Sequence, residues 1–302
     1  MTKGYIDLHS HTCISDGKYT PRELVKLAVQ QGITILAITD HNRMLSPEEI
    51  EELQAEAGGN LTIIRGAEVS TKFELSGKDV ELHVVALFPD MYFDSTAIEA
   101  VLKKNVEYNR QIYIEGILEK LRAVDVHIGT YDDLVGKYGV YIGRPQVAAE
   151  IVACGYAETV NQAMDEYIGN FGKKRAFFEN PQKENMPSLE EVIHAIHSSK
   201  GLPILAHLYY YKLNELDEHR LLKAFRSMAG ISGGMEVDYR VYNKEQREKL
   251  GKMAKQYDLF PSSASDFHGL FDFDGLDNYF PADIYDEIIK RWEQFYGIVS
   301  QS

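Results

Sequence analysis

Several segments of the chain run through apolar residues and then deliver imidazole or carboxylate. Tyr5-Ile6-Asp7-Leu8 leads to His9-Ser10-His11, and Ile33–Ile38 leads to Thr39-Asp40-His41. Leu61–Ile64 leads to Arg65-Gly66-Ala67-Glu68, Leu202–Ala206 ends at His207, and Phe260–Ala264 ends at Ser265-Asp266-Phe267-His268. His9 and His11 stand two residues apart, as do Asp266 and His268. In extended chain such pairs point to the same side and can share one ion. Imidazole and carboxylate without thiolate suit zinc, manganese or iron rather than a cysteine-based structural zinc site. Carboxylates can also bridge two ions roughly 3.5–4 Å apart, the spacing used for in-line displacement at phosphorus. A hydroxide between such ions is nucleophilic at neutral pH, because metal lowers the pKa of water from about 15.7 towards 7. Asp40, beside His41, can orient that imidazole. Asp16, in Ser15-Asp16-Gly17, reads on its own as a turn residue. His83 breaks the pattern by starting its apolar run, His83–Phe88, instead of ending it.

These side chains need strands that stop together. Ile33–Ile38 is a continuous, largely β-branched run, as expected of a strand buried on both faces. Tyr5–His9, Leu61–Ile64, His83–Phe88, Leu202–Ala206, Met235–Val237 and Phe260–Ala264 read as the other strands. Thr20-Pro21-Arg22-Glu23 and Ser46-Pro47-Glu48-Glu49 open helices with an N-cap hydroxyl, a proline in the first turn and a returning Glu. Gly32 ends the first of them. Ser188–Lys200, Leu216–Ala229 and Lys244–Tyr257 are later helices. Residues 95–185 differ: Thr96–Val124 reads as one long helix or two, followed by helices at Thr130–Lys137, Arg144–Cys154 and Thr159–Tyr167. A basic connection, Phe171–Asn180, follows. The expected architecture is α/β: a β/α barrel from 1–94 and 186–302, interrupted by a helical insertion at 95–185. In a parallel barrel the C-terminal strand ends converge on one face, where active sites are built.

Composition narrows the class. The 302 residues carry 32 Lys+Arg against 46 Asp+Glu, a formal net charge of −14, which disfavours long duplex nucleic acid held by a basic surface. A small anionic substrate stays compatible, because bound metal reverses the local field. Apolar runs are too short for a membrane span. With no signal-peptide pattern and only Cys13 and Cys154, a cytoplasmic protein is expected. Cys13 reads as a small filler. His194 and His197 read as helix-face residues, and His127 and His219 have no partner pattern.

The ordered set Asp7-Leu8-His9-Ser10-His11-Thr12, Ser15-Asp16-Gly17, Thr39-Asp40-His41-Asn42, Gly66-Ala67-Glu68, His83, Ala206-His207 and Ser265-Asp266-Phe267-His268-Gly269 resembles the motifs of the PHP (polymerase and histidinol phosphatase) superfamily. The resemblance implies a distorted (β/α)7 barrel holding two or three divalent ions. Carried over, one ion takes His9, His11, Glu68 and Asp266; a second shares Glu68 and adds His83 and His207; a third takes Asp16, His41 and His268. Asp7 and Asp40 take orienting roles. Gly143-Arg144-Pro145-Gln146-Val147-Ala148, Tyr167-Ile168-Gly169 and Gly172-Lys173-Lys174 resemble the insertion of the branch that hydrolyses nucleoside 3′,5′-bisphosphates and trims short RNA from the 5′ end. That branch usually has His where Gln146 stands and Pro where Leu208 stands.

Arg144 at a helix start could grip a phosphate bidentately, and Lys173 could add a point charge over the site. Tyr210, just beyond His207, could line the pocket. The expected function is a metal-dependent phosphoesterase acting on a small phosphomonoester: a nucleotide 3′-phosphate or a short, single-stranded 5′-phosphorylated RNA. Asp266, His268 and Arg144 are the expected catalytic residues, with His268 or metal-bound water protonating the leaving oxygen. The alternatives are a histidinol-phosphatase-like enzyme and a non-catalytic metal or nucleotide sensor.

Overall fold

The computed structural model describes residues 4–105, 111–139, 142–168, 186–269 and 284–298. Seven strands form one sheet in sequence order: β1 (Tyr5–Asp7), β2 (Ile33–Ile38), β3 (Thr62–Leu75), β4 (Lys78–Phe88), β5 (Leu202–Leu205), β6 (Gly234–Tyr239) and β7 (Phe260–Ala264). Just past their ends, the chains leaving β1 and β7 pair. Leu8 donates to Ser263, Asp266 to His9, and His11 to Phe267, over 2.9–3.0 Å. The sheet thus curls into a nearly closed, distorted barrel, and its seam runs through the ligand-bearing residues. Ile6, Leu8, Ala37, Ile64, Val85, Ile204 and Phe260 fill the interior.

Helices α1 (Pro21–Gln30) and α2 (Pro47–Ala57) begin at Thr20 and Ser46, each closing a capping box with the Glu three residues on. α8 (Leu189–Ser198), α9 (Glu215–Ala229) and α10 (Lys244–Gln256) follow the second half of the sheet. Their apolar faces share a core with the outer face of β3, β4 and β6. A last helix, α11 (Ile284–Tyr296), has no counterpart in the sequence reading. Its Ile288 joins the barrel interior, while Trp292 and Tyr296 bond the carbonyls of Lys200 and Gly201 just before β5. It therefore covers the end of β5 opposite His207.

The barrel is not wholly parallel. β4 runs antiparallel to both β3 and β5, whereas the other neighbours are parallel. β3 continues far beyond Ile64 and turns back through Ser76-Gly77, whose φ values of 53° and 77° suit a tight hairpin. This reversal explains His83. On an antiparallel strand the residues before the apolar run, not after it, reach the ligand-bearing face.

The inserted segment contains α3 (Thr96–Asn105), α4 (Gln111–Arg122), α5 (Tyr131–Tyr138), α6 (Arg144–Ala153) and α7 (Val160–Ala163), which passes into a wide π turn at Met164–Ile168. Ile98 and Leu102 of α3 belong to the barrel's outer core. A separate core starts at Ile114 and runs to Ile168, so the barrel's packing reaches past residue 94. Because the cores are distinct, damage to one should leave the other's chemistry standing. Ile117→Ala, at a position with no exposure, is expected to cost about 2–5 kcal/mol of insertion stability. Urea unfolding should show this loss with metal content per chain unchanged; a parallel loss of metal would contradict the separation.

Candidate metal centre

The strand ends place a set of imidazoles around one carboxylate. Glu68, on β3 and 1% exposed, points both oxygens into the barrel mouth. Its Oε1 lies 2.8 Å from His83 Nδ1 and 2.9 Å from His207 Nε2. Its Oε2 lies 2.7 Å from His41 Nδ1 and 3.4 Å from Nε2 of both His9 and His11. Asp266 Oδ1 stands 3.1 Å from His11 Nε2 and 3.6 Å from His9 Nε2. On the other flank, Asp16 lies 3.2 Å from His268, 3.6 Å from His41 and 3.8 Å from His11. Every residue named as a metal candidate therefore converges on one pocket. His41 faces both Glu68 and Asp16, through different ring nitrogens.

The arrangement fits divalent ions. Among the described residues, three overlapping groups have ligand atoms within 4.8 Å of one another: His9, His11 and Asp266; His41, Glu68 and His83; His11, Asp16, His41 and His268. Glu68 Oε2 accepts no well-directed hydrogen bond despite full burial, although His41 Nδ1 lies 2.7 Å away, and His207 Nδ1 makes none. A buried carboxylate oxygen without a donor is costly unless a cation faces it. The His9 and His11 Nε2 atoms approach to 3.0 Å, so two ring nitrogens aim at one point.

The charges reinforce this reading. Burial alone would raise Glu68, yet His41, His83 and His9 hold it well below the usual carboxylate range. Asp16 and Asp266 follow the same balance, burial being overridden chiefly by His41 and His268 in one case and by His268 and His9 in the other. Burial would lower His83 and His268, but Glu68 lifts the first to about 10 and Asp16 with Asp266 lifts the second to about 10. Burial, with His268 and His41 beside it, pushes His11 down to about 3.

The supporting contacts differ from the expectation. Asp7 accepts from Ser265 N at 3.0 Å, Ser265 Oγ at 2.6 Å and His9 N at 3.3 Å, clasping the β1 and β7 exits together. Asp40 accepts from the backbone and hydroxyls of Thr12 and Ser15 over 2.6–3.1 Å. It anchors the turn that carries Asp16 and makes no contact of this kind with the imidazole of His41. A carboxylate outside the predicted ligand set that does touch one of these imidazoles is Glu236 of β6, 2.6 Å from His9 Nδ1. The sequence reading missed it. The available signal was an acid inside the apolar run Met235–Val237. Tyr239, also on β6, donates to Asp266 Oδ2 at 2.5 Å. Asn42, His207 and Asp266 hold φ values of 50°, 26° and 50°, strained for residues with a Cβ and clustered at this mouth.

Arg144 opens α6, and the preceding Gly143 lies so close to the pocket that a Cβ there would meet Asp16 Cβ at 2.9 Å. Lys173, Lys174 and Arg175 lie outside the described residues. Tyr210 is largely exposed, its ring centred 5.4 Å from that of His207. Cys13 is exposed, so it fills no core position as expected. His197 bonds Ser232 Oγ at 3.0 Å and joins none of the metal-competent groups among the described residues.

The PHP domain model matches residues 7–263. The chain belongs to the PHP domain family. Among its relatives is a Haemophilus influenzae protein named 5′-3′ exoribonuclease, 31% identical over 98% of this chain and 100% of that protein. A Chromobacterium violaceum 3′,5′-nucleoside bisphosphate phosphatase is 26% identical, with 87% of each chain covered. A solved Bifidobacterium adolescentis structure, proposed to be a metal-dependent phosphoesterase, superposes with a TM-score of 0.75 at 28% identity, over 96% of this chain and 97% of that one. As a PHP-domain phosphoesterase the protein is a hydrolase of phosphoester bonds, and no helix among the described residues is long and apolar enough to cross a membrane.

Two outcomes follow from the centre's geometry. Glu68→Gln keeps the shape but removes the charge that the imidazoles surround. It should lose most bound metal, read as metal per chain after gel filtration; a wild-type content would contradict a centre built on Glu68. Protons also compete with metal, because a protonated imidazole has no lone pair to give. With His83 and His268 near 10 in the metal-free chain, affinity should rise with pH up to about that value and fall as pH drops. Loading stripped protein with zinc in weak buffer should release protons to an indicator dye, and loading without release would contradict the charge balance.

Proposed function

We propose that the chain is a divalent-metal-dependent phosphoesterase whose substrate is a small phosphomonoester, a nucleotide 3′-phosphate such as a nucleoside 3′,5′-bisphosphate, or a short 5′-phosphorylated oligonucleotide. The observation that carries the metal chemistry is Glu68, one buried carboxylate facing His9, His11, His41, His83 and His207 at once. The nucleotide preference is supported by the names of the Haemophilus and Chromobacterium relatives.

In this reading His9, His11, Glu68 and Asp266 hold one ion, Glu68 with His83 and His207 a second, and Asp16, His41 and His268 a third. Manganese, zinc or iron bound there would polarise the phosphoryl oxygens and provide a nucleophilic oxygen at neutral pH. The chain's own part is positioning. Asp7 and Asp40 fix the loops that carry His9, Asp266 and Asp16, so the ligands keep their places as charge shifts during reaction. His268 Nδ1, 2.9 Å from the Asp266 carbonyl, holds the ring so that Nε2, 3.2 Å from Asp16, faces the third ion. With both nitrogens so engaged it serves as a ligand and not as the acid, and the proton for the leaving oxygen is left to solvent.

The insertion is the substrate cap of this proposal. The Gly143–Asp16 approach brings the start of α6 to the edge of the centre, where the Arg144 guanidinium can receive a second phosphate. Lys173 is proposed to assist. The acidic surface fits a small ligand held at one point rather than a long duplex.

The decisive assay strips the protein, reloads it with manganese, zinc or iron, and offers 3′,5′-bisphosphates, nucleoside monophosphates, histidinol phosphate and short 5′-phosphorylated RNA. Turnover should vanish with chelation and return with metal. Arg144→Ala should lower kcat/KM for a bisphosphate roughly 10- to 100-fold while sparing p-nitrophenyl phosphate, as expected for a lost charged contact. Full turnover without metal, or a preference for histidinol phosphate, would overturn the metal or the substrate half of the proposal respectively.

A further inference from the structure

Glu236 sits in β6 at 1% exposure and uses both carboxylate oxygens. Its Oε1 lies 2.6 Å from His9 Nδ1, and its Oε2 accepts from the backbone N–H of His207 at 2.6 Å. These partners come from different places. His9 follows β1 and His207 follows β5, whereas β6 lies between β5 and β7 in the sheet. Glu236 therefore reaches across the barrel mouth to join two ligand-bearing exits. The two imidazoles stand nearly parallel, 5.9 Å apart and inclined by 29°.

Each bond has a direction. A backbone N–H can only donate, so Oε2 is an acceptor. A carboxylate is acceptor-only, so Oε1 requires the proton on His9 Nδ1. In the neutral, metal-binding ring the other nitrogen, Nε2, then carries the lone pair, and it is the one that faces His11 Nε2, Glu68 Oε2 and Asp266 Oδ1. At the second partner, His207 turns out of β5 with φ 26° and ψ 58°, a backbone shape that needs an external hold. With its N–H tied to Glu236, the His207 ring places Nε2 2.9 Å from Glu68 Oε1.

We propose that Glu236 is a positioning residue that couples two halves of the metal centre, fixing the His9 tautomer through Oε1 and the strained His207 backbone through Oε2. The inference rests on the metal-centre reading above and deepens it. It also makes a chemical demand that an ordinary buried acid would not. Glutamine is nearly isosteric but has one acceptor oxygen and one donor nitrogen. Whichever way it turns, the NH₂ faces one of the two donors, and either His9 or His207 loses its anchor.

The test uses the full-length protein and zinc alone. Chelator competition measures zinc affinity in wild type, E236Q and E236D, with circular dichroism to confirm folding. E236Q should weaken zinc roughly 10- to 100-fold, the range seen when a partner behind a ligand His is removed. E236D, which keeps two acceptors on a shorter stem, should fall between E236Q and wild type. Independently of any variant at 236, ¹⁵N-histidine NMR of zinc-loaded wild type, with the His9 signal assigned by its loss in His9→Gln, should show Nδ1 protonated and Nε2 metal-bound. Zinc bound by wild type and E236Q equally overturns the role of Glu236 and leaves the phosphoesterase reading intact, as does a His9 ligated through Nδ1. A wild type that binds no zinc, and no manganese or iron when these are titrated in its place, overturns both.

Discussion

A carboxylate buried among imidazoles is the constraint that orders this protein. Taking Glu68 out of water costs several kcal/mol even after relaxation, and the loss is recovered only where complementary charge is held close. Here imidazoles close on it from four strands: His9 and His11 beyond β1, His41 beyond β2, His83 on β4 and His207 beyond β5. The backbone is arranged to make that approach. Glu68 N donates to the carbonyls of Thr39 and Asp40 at 3.1 and 3.2 Å, locking the β2 exit beside it. Without metal, imidazole protons supply the opposing charge, which is why the acids are held low and His83 and His268 high. Divalent ions bound there would replace those protons with a denser charge, and the ligand atoms that would hold them already converge.

Barrel closure and ligand placement are the same event. The last hydrogen bonds that bring β1 against β7 involve Leu8, His9, His11, Ser263, Asp266 and Phe267. Asp7 then clasps Ser265 across the seam. A barrel that failed to close would separate His9 and His11 from Asp266. Conversely, an ion bound by those three side chains ties the seam together, so binding energy becomes folding energy. The strained backbone at Asp266 and His207 fits this view, since strain persists where surrounding contacts over-determine a conformation.

The parts of this design that were legible in sequence are those written locally. His9 and His11, Asp40 and His41, and Asp266 and His268 all follow buried runs within a few residues, so a strand-end rule finds them. The capping boxes at Thr20 and Ser46 are equally local. His83 was identified as a candidate but its geometry was not, because strand direction is decided by the Ser76-Gly77 turn and not by the run His83–Phe88. β3 was read too short for a related reason: beyond Glu68 it alternates polar and apolar residues along one hairpin instead of forming an apolar block. Glu236 was missed because its partners, His207 and His9, lie 29 and 227 residues earlier in the chain, and an acid inside a short strand carries no sign of what it faces. Asp40 was read one step too directly, its neighbour in sequence being His41 while its partners in space are Thr12 and Ser15.

The two cores suggest how such a scaffold divides its labour. The barrel fixes the metal ligands through contacts that cannot be varied one at a time, since Glu68, Asp7 and Glu236 each serve more than one strand. The insertion has its own core from Ile114 to Ile168 and meets the centre where Gly143 approaches Asp16. The residue after that contact, Arg144, begins a helix, so its N-terminal dipole lies near the pocket's edge and favours an anion there. In the proposed function this division has a consequence for charge. A net −14 repels polyanions at long range, yet bound divalent ions and the start of α6 make the pocket attractive at short range. Discrimination then falls on molecules small enough to pass the acidic exterior and carrying two phosphates to match two anchors. A nucleoside bisphosphate meets both conditions, and so does the 5′ end of a short single strand, whose first internucleotide phosphate can reach the metals while its terminal phosphate meets α6.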